Sequence, residues 1–254
     1  SLAITPLAVS VPGGRKAIVM DAGVEDYPGM YLKSIGRNVL QAEFAPYPKE
    51  QEIGGFDRLN LVPTKRSNYL AKLDNKRTLP WRAVVITERD ADILNCDMAQ
   101  RLAPECRIKD TSWIKPGKVA WDWWNNTNIT GVDFKSGMNI DTYLYYIDFA
   151  SKNKIEYIII DEGWSGQESL TENLNPDIDL KRLIANSKEK GVGIILWSSW
   201  RNLIGNNPLN DISVTDAVIK HYADMGIKGF KVDFFDRDDQ QAIASAYKIA
   251  ESAA

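Results

Sequence analysis

The sequence has 254 residues, 44% of them hydrophobic, which suits one or two packed domains, since domains average roughly 100–200 residues. With 31 Lys and Arg against 34 Asp and Glu the formal charge is −3, which argues against a nucleic-acid partner and against an anionic membrane surface. No run approaches the roughly 20 apolar residues of a membrane-spanning helix, Ser1 to Val11 lacks the charged start and apolar core of a signal peptide, and two cysteines with one histidine leave almost no zinc ligands, so any metal would be a hard ion held by oxygen.

Up to about residue 110, short β-like runs (Ala17–Met20, Met30–Lys33, Val39–Phe44 and Trp81–Thr87) are separated by Pro12-Gly13-Gly14, Tyr27-Pro28-Gly29 and Gly54-Gly55. Short strands with Gly/Pro punctuation and no long amphipathic helix predict antiparallel sheet, a sandwich or part of one. Cys96 and Cys106 fit either a disulfide or two reduced thiols.

From about residue 116 the pattern becomes strand, helix, strand, helix. Strand Lys118–Trp123 precedes a helix at Asn139–Asn153, where Ile140, Tyr143, Leu144, Ile147 and Ala150 recur at helical spacing. Strand Tyr157–Asp161, a helix near Asp179–Lys190, strand Val192–Ser198, a helix near Val214–Met225, strand Lys228–Phe235 and a helix from about Asp238 to Ala254 follow, with Gly191 and Gly226 as helix stops. Tyr157–Ile160 and Gly193–Leu196 are almost wholly apolar, as parallel strands covered on both faces should be. Repeated β/α units of roughly 35 residues imply a parallel sheet with right-handed crossovers. The expectation is therefore an α/β plus all-β chain: part of an N-terminal β-sandwich with its linker over residues 1–112, then over 113–254 the first four β/α units of a (β/α)8 TIM barrel. The remaining four units would lie on a missing part of the polypeptide or on another chain.

Polar and aromatic residues gather where these strands end: Trp121-Asp122-Trp123-Trp124-Asn125, Asp161-Glu162-Gly163-Trp164, Trp197-Ser198-Ser199-Trp200-Arg201 and Asp233-Phe234-Phe235-Asp236-Arg237-Asp238-Asp239. In a barrel that rim builds the active site; a nucleotide-binding sheet would carry a glycine-rich phosphate loop, and none occurs. Eight tryptophans, most of them in this half, suit either a large aromatic core or flat faces for the apolar side of a sugar ring. Trp121, Trp164 and Trp197 are the candidate platforms, with Asp122, Asp161 and Glu162 to take hydroxyls; only one of Asp161 and Glu162 can face the centre, because adjacent strand residues point to opposite sides. Lys231 and Asp233 share a side of their strand, and the ammonium would keep Asp233 ionised, as a glycosidic nucleophile needs; the alternative is an interior ion pair. Asp236, Asp238 and Asp239 read as a helix start, and His221 as a packing or surface residue. A non-catalytic carbohydrate-binding module and a barrel enzyme using a divalent metal are the competing classes.

The runs Lys115-Pro116-Gly117-Lys118-Val119-Ala120-Trp121-Asp122-Trp123-Trp124-Asn125, Ile160-Asp161-Glu162-Gly163-Trp164 and Lys231-Val232-Asp233-Phe234-Phe235-Asp236-Arg237-Asp238-Asp239-Gln240, with Asp26-Tyr27-Pro28-Gly29-Met30, closely resemble glycoside hydrolase family 97. The resemblance implies a β-sandwich, a (β/α)8 barrel and a small C-terminal β domain, with calcium near the active site and a periplasmic or secreted location. It further implies a retaining α-galactosidase, because that branch carries an Asp nucleophile at the position of Asp233, whereas the inverting α-glucosidases of the family lack it. The substrate would be an α-galactoside or related oligosaccharide. By the same resemblance the acid/base Glu and most calcium ligands fall beyond Ala254, Asp21 being the candidate ligand here with Glu25 next. The chain then looks like a fragment, inactive by itself.

Overall fold

The computed structural model of the protein describes residues 1–74, 76–166, 169–205 and 213–254. The chain forms two compact units, one of residues 1–53, 61–109 and 236–247, the other of residues 54–60, 110–235 and 248–254. The main change of unit falls at 109/110, and residues 54–60 and 236–247 group with the unit on the other side of it.

In the first unit, strands β1 (Leu2–Ile4), β2 (Leu7–Ser10), β3 (Lys16–Ala22), β4 (Met30–Ser34), β5 (Leu40–Phe44), β6 (Pro48–Gly54), β7 (Asn60–Arg66) and β8 (Trp81–Thr87) form sheets ordered β1-β4-β5, β2-β3-β8 and β6-β7. The β1–β4, β4–β5, β2–β3 and β3–β8 pairings are antiparallel. Alternate residues of β3 (Ile18, Met20, Ala22) and of β4 (Met30, Leu32) are buried, the period-two pattern of sheets with one covered face. Strands β3, β4, β5 and β8 are the four the sequence predicts. Strands β1 and β2 are too short to show a period, and the Lys-Glu-Gln-Glu run of β6 hides it behind charge. Two short helices, α1 (Ala91–Leu94) and α2 (Met98–Leu102), follow β8. Cys96 is half-buried, Cys106 is exposed, and neither is disulfide-bonded.

The acidic run after residue 235 does more than start a helix. Arg237 is buried and forks onto Asp239 through two 2.8 Å hydrogen bonds, while its remaining donors reach the Leu61 carbonyl (2.8 Å), Gln51 Oε1 (3.1 Å) and Gln241 Oε1 (3.0 Å). Asp239, fully buried, also accepts from Arg66 (3.2 Å) and from the Ala242 N–H (3.3 Å), so the capping role expected of it is one duty among several. The Gln240 amide bonds Lys72 through both backbone groups and the Asp26 carbonyl, and the Gly29 N–H donates to the Asp238 carbonyl at 2.9 Å. A Cβ on Gly29 would stand 3.2 Å from Asp238 Cβ, which is why the Pro28-Gly29 turn can approach so closely.

The second unit alternates strand and helix: β9 (Val119–Trp121), α3 (Ile140–Lys152), β10 (Tyr157–Ile160), α4 (Leu180–Glu189), β11 (Gly193–Ser199), α5 (Trp200–Ile204), α6 (Ser213–Met225), β12 (Gly229–Asp233) and α7 (Gln240–Ala253), whose first half groups with the other unit. The strands form one parallel sheet in the order β12-β11-β10-β9. Asn139 caps α3 by accepting from the Thr142 N–H (3.0 Å), and Asp179 caps α4 at Arg182 in the same way. Helix α3 packs on β9 and β10 through Tyr143, Tyr146, Ile147 and Ala150, and α4 packs on β11. Ile158, Ile160, Ile194 and Leu196 are buried side chains of alternate strand positions, so β10 and β11 are firmly covered on one side. No described helix is long and apolar enough to cross a membrane. His221 is exposed, with its ring edge-on to Tyr222 as the sequence reading allows.

Removing one partner of a buried pair strands the other charge. Arg237→Ala is expected to lower unfolding free energy by about 3–5 kcal/mol, measured by urea denaturation, whereas Lys220→Ala, which breaks an exposed pair with Asp224, should change it by less than about 0.5 kcal/mol. The Arg237→Ala/Asp239→Ala double variant should recover part of the loss.

Candidate active site

Strand register decides which residues meet. Tyr157, Ile159 and, one step past the strand, Asp161 share a side of β10; Trp121 of β9 pairs beside Ile159, and Trp197 of β11 pairs beside Lys231 of β12. Asp233 lies two residues beyond Lys231, opposite Ser199. The side chains of Trp121, Asp161, Trp197, Lys231 and Asp233 therefore gather at the carboxyl end of the sheet, on the side away from the buried Ile158, Ile160, Ile194 and Leu196.

Lys231 sits at the centre of this group. Its ammonium contacts Asp161 Oδ2 at 2.9 Å and Asp233 Oδ2 at 3.1 Å, and it lies 4.2 Å from the centroid of the Trp121 ring. The Trp121 indole N–H in turn donates to Asp161 at 2.5 Å. Of the adjacent carboxylates Asp161 and Glu162, it is Asp161 that joins the cluster; Glu162 is half-buried, and its backbone N–H donates to Asp161 Oδ1 at 2.9 Å.

Asp161 is almost closed off from water, with 7% of its side chain exposed, whereas Asp233 keeps 41%. That difference separates their roles: Asp161 anchors the ammonium, and Asp233 can meet a ligand. Asp233 accepts from the Phe234 N–H (2.9 Å), from Lys231, and from the Trp197 indole N–H (3.3 Å). Partial burial pushes its carboxyl up, but the Phe234 N–H, the Lys231 ammonium and the Trp197 indole outweigh this and hold it below the ordinary carboxylate value. Two carboxylates sharing one ammonium leave a net negative cluster, suited to positive charge developing on a ligand.

Three expected site residues have other duties. Asp122 is fully buried: it accepts from the Tyr143 hydroxyl of α3, from the Trp123 N–H (2.6 Å) and from the Asp161 N–H (3.2 Å), so it ties helix to strand end on the covered side rather than taking sugar hydroxyls. Burial raises its pKa, opposed by those hydrogen bonds. Trp164 is 1% exposed, its indole donating to the Trp197 carbonyl at 2.9 Å and its ring edge-on to Tyr222; it is core and offers no platform. Asp21 has both carboxylate oxygens engaged, by the Thr5 hydroxyl (2.6 Å) and the Met30 N–H (3.0 Å), as a bracket between strands. Glu25 pairs with Arg107, and no group of three or more His, Cys, Asp or Glu among the described residues could hold a metal ion. Among the described residues, Asp21 and Glu25 do not by themselves make a calcium site.

Residues after Asp233 complete the site in a way the sequence does not announce. Phe234 has φ +61°, in the left-handed region, and its N–H donates to the Asp233 carboxylate at 2.9 Å. Holding a bulky residue there costs about 1–3 kcal/mol. Its ring is edge-on to Trp197 (centroids 6.0 Å apart) and parallel to Phe56 (5.9 Å, 2° between planes), contacts worth about 0.5–1.5 kcal/mol each. Phe235 stacks on Trp200 at 5.2 Å, and buried Asn60 accepts from the Trp200 indole (2.9 Å) while donating to the Phe235 carbonyl (3.3 Å). Trp123 and Trp124 pack against Trp121 and stay exposed. A left-handed phenylalanine leaves no mark in composition or period, and Phe56 is 178 residues away in sequence (234 − 56).

Residues 121–254 match the family described as Glycoside hydrolase 97, and residues 1–104 match Glycosyl-hydrolase 97 N-terminal. A protein of Bacteroides thetaiotaomicron named retaining alpha-galactosidase is 44% identical over the whole of this chain, and a probable retaining alpha-galactosidase of Streptomyces bingchenggensis is 28% identical over 67% of it. The chain spans 37% and the match 25% of those relatives' respective lengths. Among solved structures, a family 97 enzyme of Pseudoalteromonas sp. strain K8 in complex with acarbose superposes with TM-score 0.72 at 21% identity, covering all of this chain and 39% of that one. An alpha-galactosidase of Thermus thermophilus superposes with TM-score 0.52 at 16% identity, covering 97% of this chain and 50% of its own. At those identities the structural likeness is one of fold. Since the first family match alone takes in more than half the chain, together with the Asp161–Lys231–Asp233 cluster, the protein belongs to glycoside hydrolase family 97.

Proposed function

We propose that this chain carries the nucleophile of a retaining α-galactosidase, and that its parallel sheet forms four of the eight β/α units of a barrel whose interior is the side bearing Asp233. The observation that carries the reading is an accessible strand-end carboxylate held ionised by an ammonium at 3.1 Å and a backbone N–H at 2.9 Å. The 44% identical relative of that name supports the galactoside assignment.

In the first step an Asp233 oxygen forms a bond to the anomeric carbon as the bond from that carbon to the glycosidic oxygen breaks. The leaving oxygen takes its proton from a carboxylic acid outside this chain. In the second step water adds to the anomeric carbon, gives its proton to the same acid/base group, and displaces the Asp233 carboxylate; two inversions give net retention. Lys231 keeps the nucleophile charged, Asp161 fixes Lys231, and Trp197 orients the second Asp233 oxygen. The complete enzyme would supply the acid; the chain by itself would not turn over substrate.

Three outcomes are expected of the complete enzyme. A fluorinated galactosyl inhibitor that accumulates the ester intermediate should label Asp233, as read by peptide mass spectrometry, and Asp233→Asn should lower kcat/KM by at least about 10³-fold; label on another residue defeats the mechanism. Because Asp233 is held below the usual carboxylate value, the acid limb of kcat/KM should lie low, and Lys231→Met, which removes the stabilising cation, should move that limb upward in pH. Aryl α-galactosides should be cleaved faster than aryl α-glucosides, the reverse ratio pointing to an α-glucosidase.

A further inference from the structure

We propose that Trp121 is a positioning residue for Asp233: its indole N–H and its ring face together fix the Asp161–Lys231 pair, and through Lys231 the nucleophile. The inference rests on the nucleophile assignment above and extends it to a residue at the far edge of the same sheet. Strands β9 and β12 are the two edges of that sheet, with β10 and β11 between them. At roughly 4.8 Å per strand step their backbones stand about 14 Å apart along the sheet, so a contact between them needs a long side chain from each, and Trp121 and Lys231 provide it.

Trp121 engages both members of the pair with different parts of its side chain. The indole N–H donates to Asp161 Oδ2 at 2.5 Å, and the ring centroid lies 4.2 Å from the Lys231 ammonium. The same Asp161 oxygen meets Lys231 at 2.9 Å, while Asp233 Oδ2 takes the ammonium at 3.1 Å. One cation is thus held among an indole and two carboxylates. Trp121 is itself secured: its half-buried ring stacks on Trp123 (5.7 Å, 24° between planes), and the next residue is the fully buried Asp122, which accepts from the Asp161 N–H. Consecutive residues of the β9 end therefore hold Asp161 at its side chain and at its backbone.

Loss of the indole acts on Asp233 through Lys231. Among the described residues, the donors to Asp161 Oδ2 are the Trp121 indole and Lys231, while Oδ1 takes the Glu162 N–H. With one donor gone, this nearly closed carboxylate draws the ammonium toward itself, and water takes the side of Lys231 that the ring covered. Both changes weaken the contact with Asp233, which then relies on the neutral Phe234 N–H and Trp197 indole. The charged and titratable groups around the pair are Asp161 at the β10 end with Glu162 beside it, Asp122 behind Asp161 with Tyr143 of α3 against it, and Lys231 and Asp233 of β12. Asp161 and Asp233 each lose stabilisation of the anion, so both titrate higher and the acid limb rises.

The test uses the complete enzyme with p-nitrophenyl α-galactoside. Trp121→Leu should lower kcat about thirtyfold with KM within about twofold, and should raise the acid limb of kcat/KM by about half to one pH unit. Trp121→Phe, a smaller ring without the N–H, should recover only part of either effect. In a Lys231→Met background the route from Trp121 to Asp233 is already cut, so Trp121→Leu should add less than about a threefold loss and no further movement of the limb. An unmoved limb in folded Trp121→Leu, a rise in KM alone as for a sugar platform, full activity in Trp121→Phe, or an equal loss in the Lys231→Met background overturns the proposal. Should Trp121→Leu not fold, Trp121→Phe is read by the same criteria. Asp233→Asn separates the two claims: full activity there removes both, whereas its inactivity beside a Trp121→Leu enzyme changed in KM alone removes only this one.

Discussion

One ammonium shared by two carboxylates organises the strand-end site. Lys231 reaches Asp161 at 2.9 Å and Asp233 at 3.1 Å, and the two acids differ sharply in their access to water. A buried carboxylate is tolerable only when its charge is compensated and its lone pairs are satisfied. Asp161 meets that condition through Lys231, the Trp121 indole and the Glu162 N–H. Asp233 shares the same cation while keeping an open side, which separates an anchoring acid from a reactive one. The attraction is not a large stability term, because Lys231 itself is 26% exposed and solvent screens it. Its importance lies in geometry and charge state.

Beneath this cluster is a second acidic position with the opposite orientation. Asp122 accepts from Tyr143 on one side and from the Asp161 N–H on the other, so the strand end that presents Asp161 is itself fastened to α3. A residue that contributes nothing to ligand contact can thus still determine where the ligand-facing acid stands. The run Trp121-Asp122-Trp123 contains both kinds of position in alternation, with Trp121 on the cluster, Asp122 below, and Trp123 outside.

The parts legible in the sequence are those governed by period and punctuation. The four parallel strands, most of their long helices and the common side of Lys231 and Asp233 all follow from hydrophobic recurrence and from glycine stops. What escaped was set by three-dimensional context. Trp164 and Trp197 both stand at strand ends, yet only the second carries its indole to Asp233, because the chain turns at Gly163 (φ +113°) and buries Trp164 against Tyr222. Arg237 reads as one more surface charge in an acidic run until Leu61 and Gln51 are placed beside it. Asp21, a plausible oxygen ligand in isolation, is consumed by Thr5 and Met30 from neighbouring strands. Each of these depends on partners many residues distant, which no local pattern encodes.

The pleat of β12 has a further evolutionary consequence. Gly229, Lys231 and Asp233 share one side, Phe230 and Val232 the other, so gaining or losing a single residue upstream within the strand would swap the entire ionic group for apolar side chains. Drift can therefore substitute letters here far more readily than it can alter their number, and length polymorphism among descendants should be confined to connecting loops.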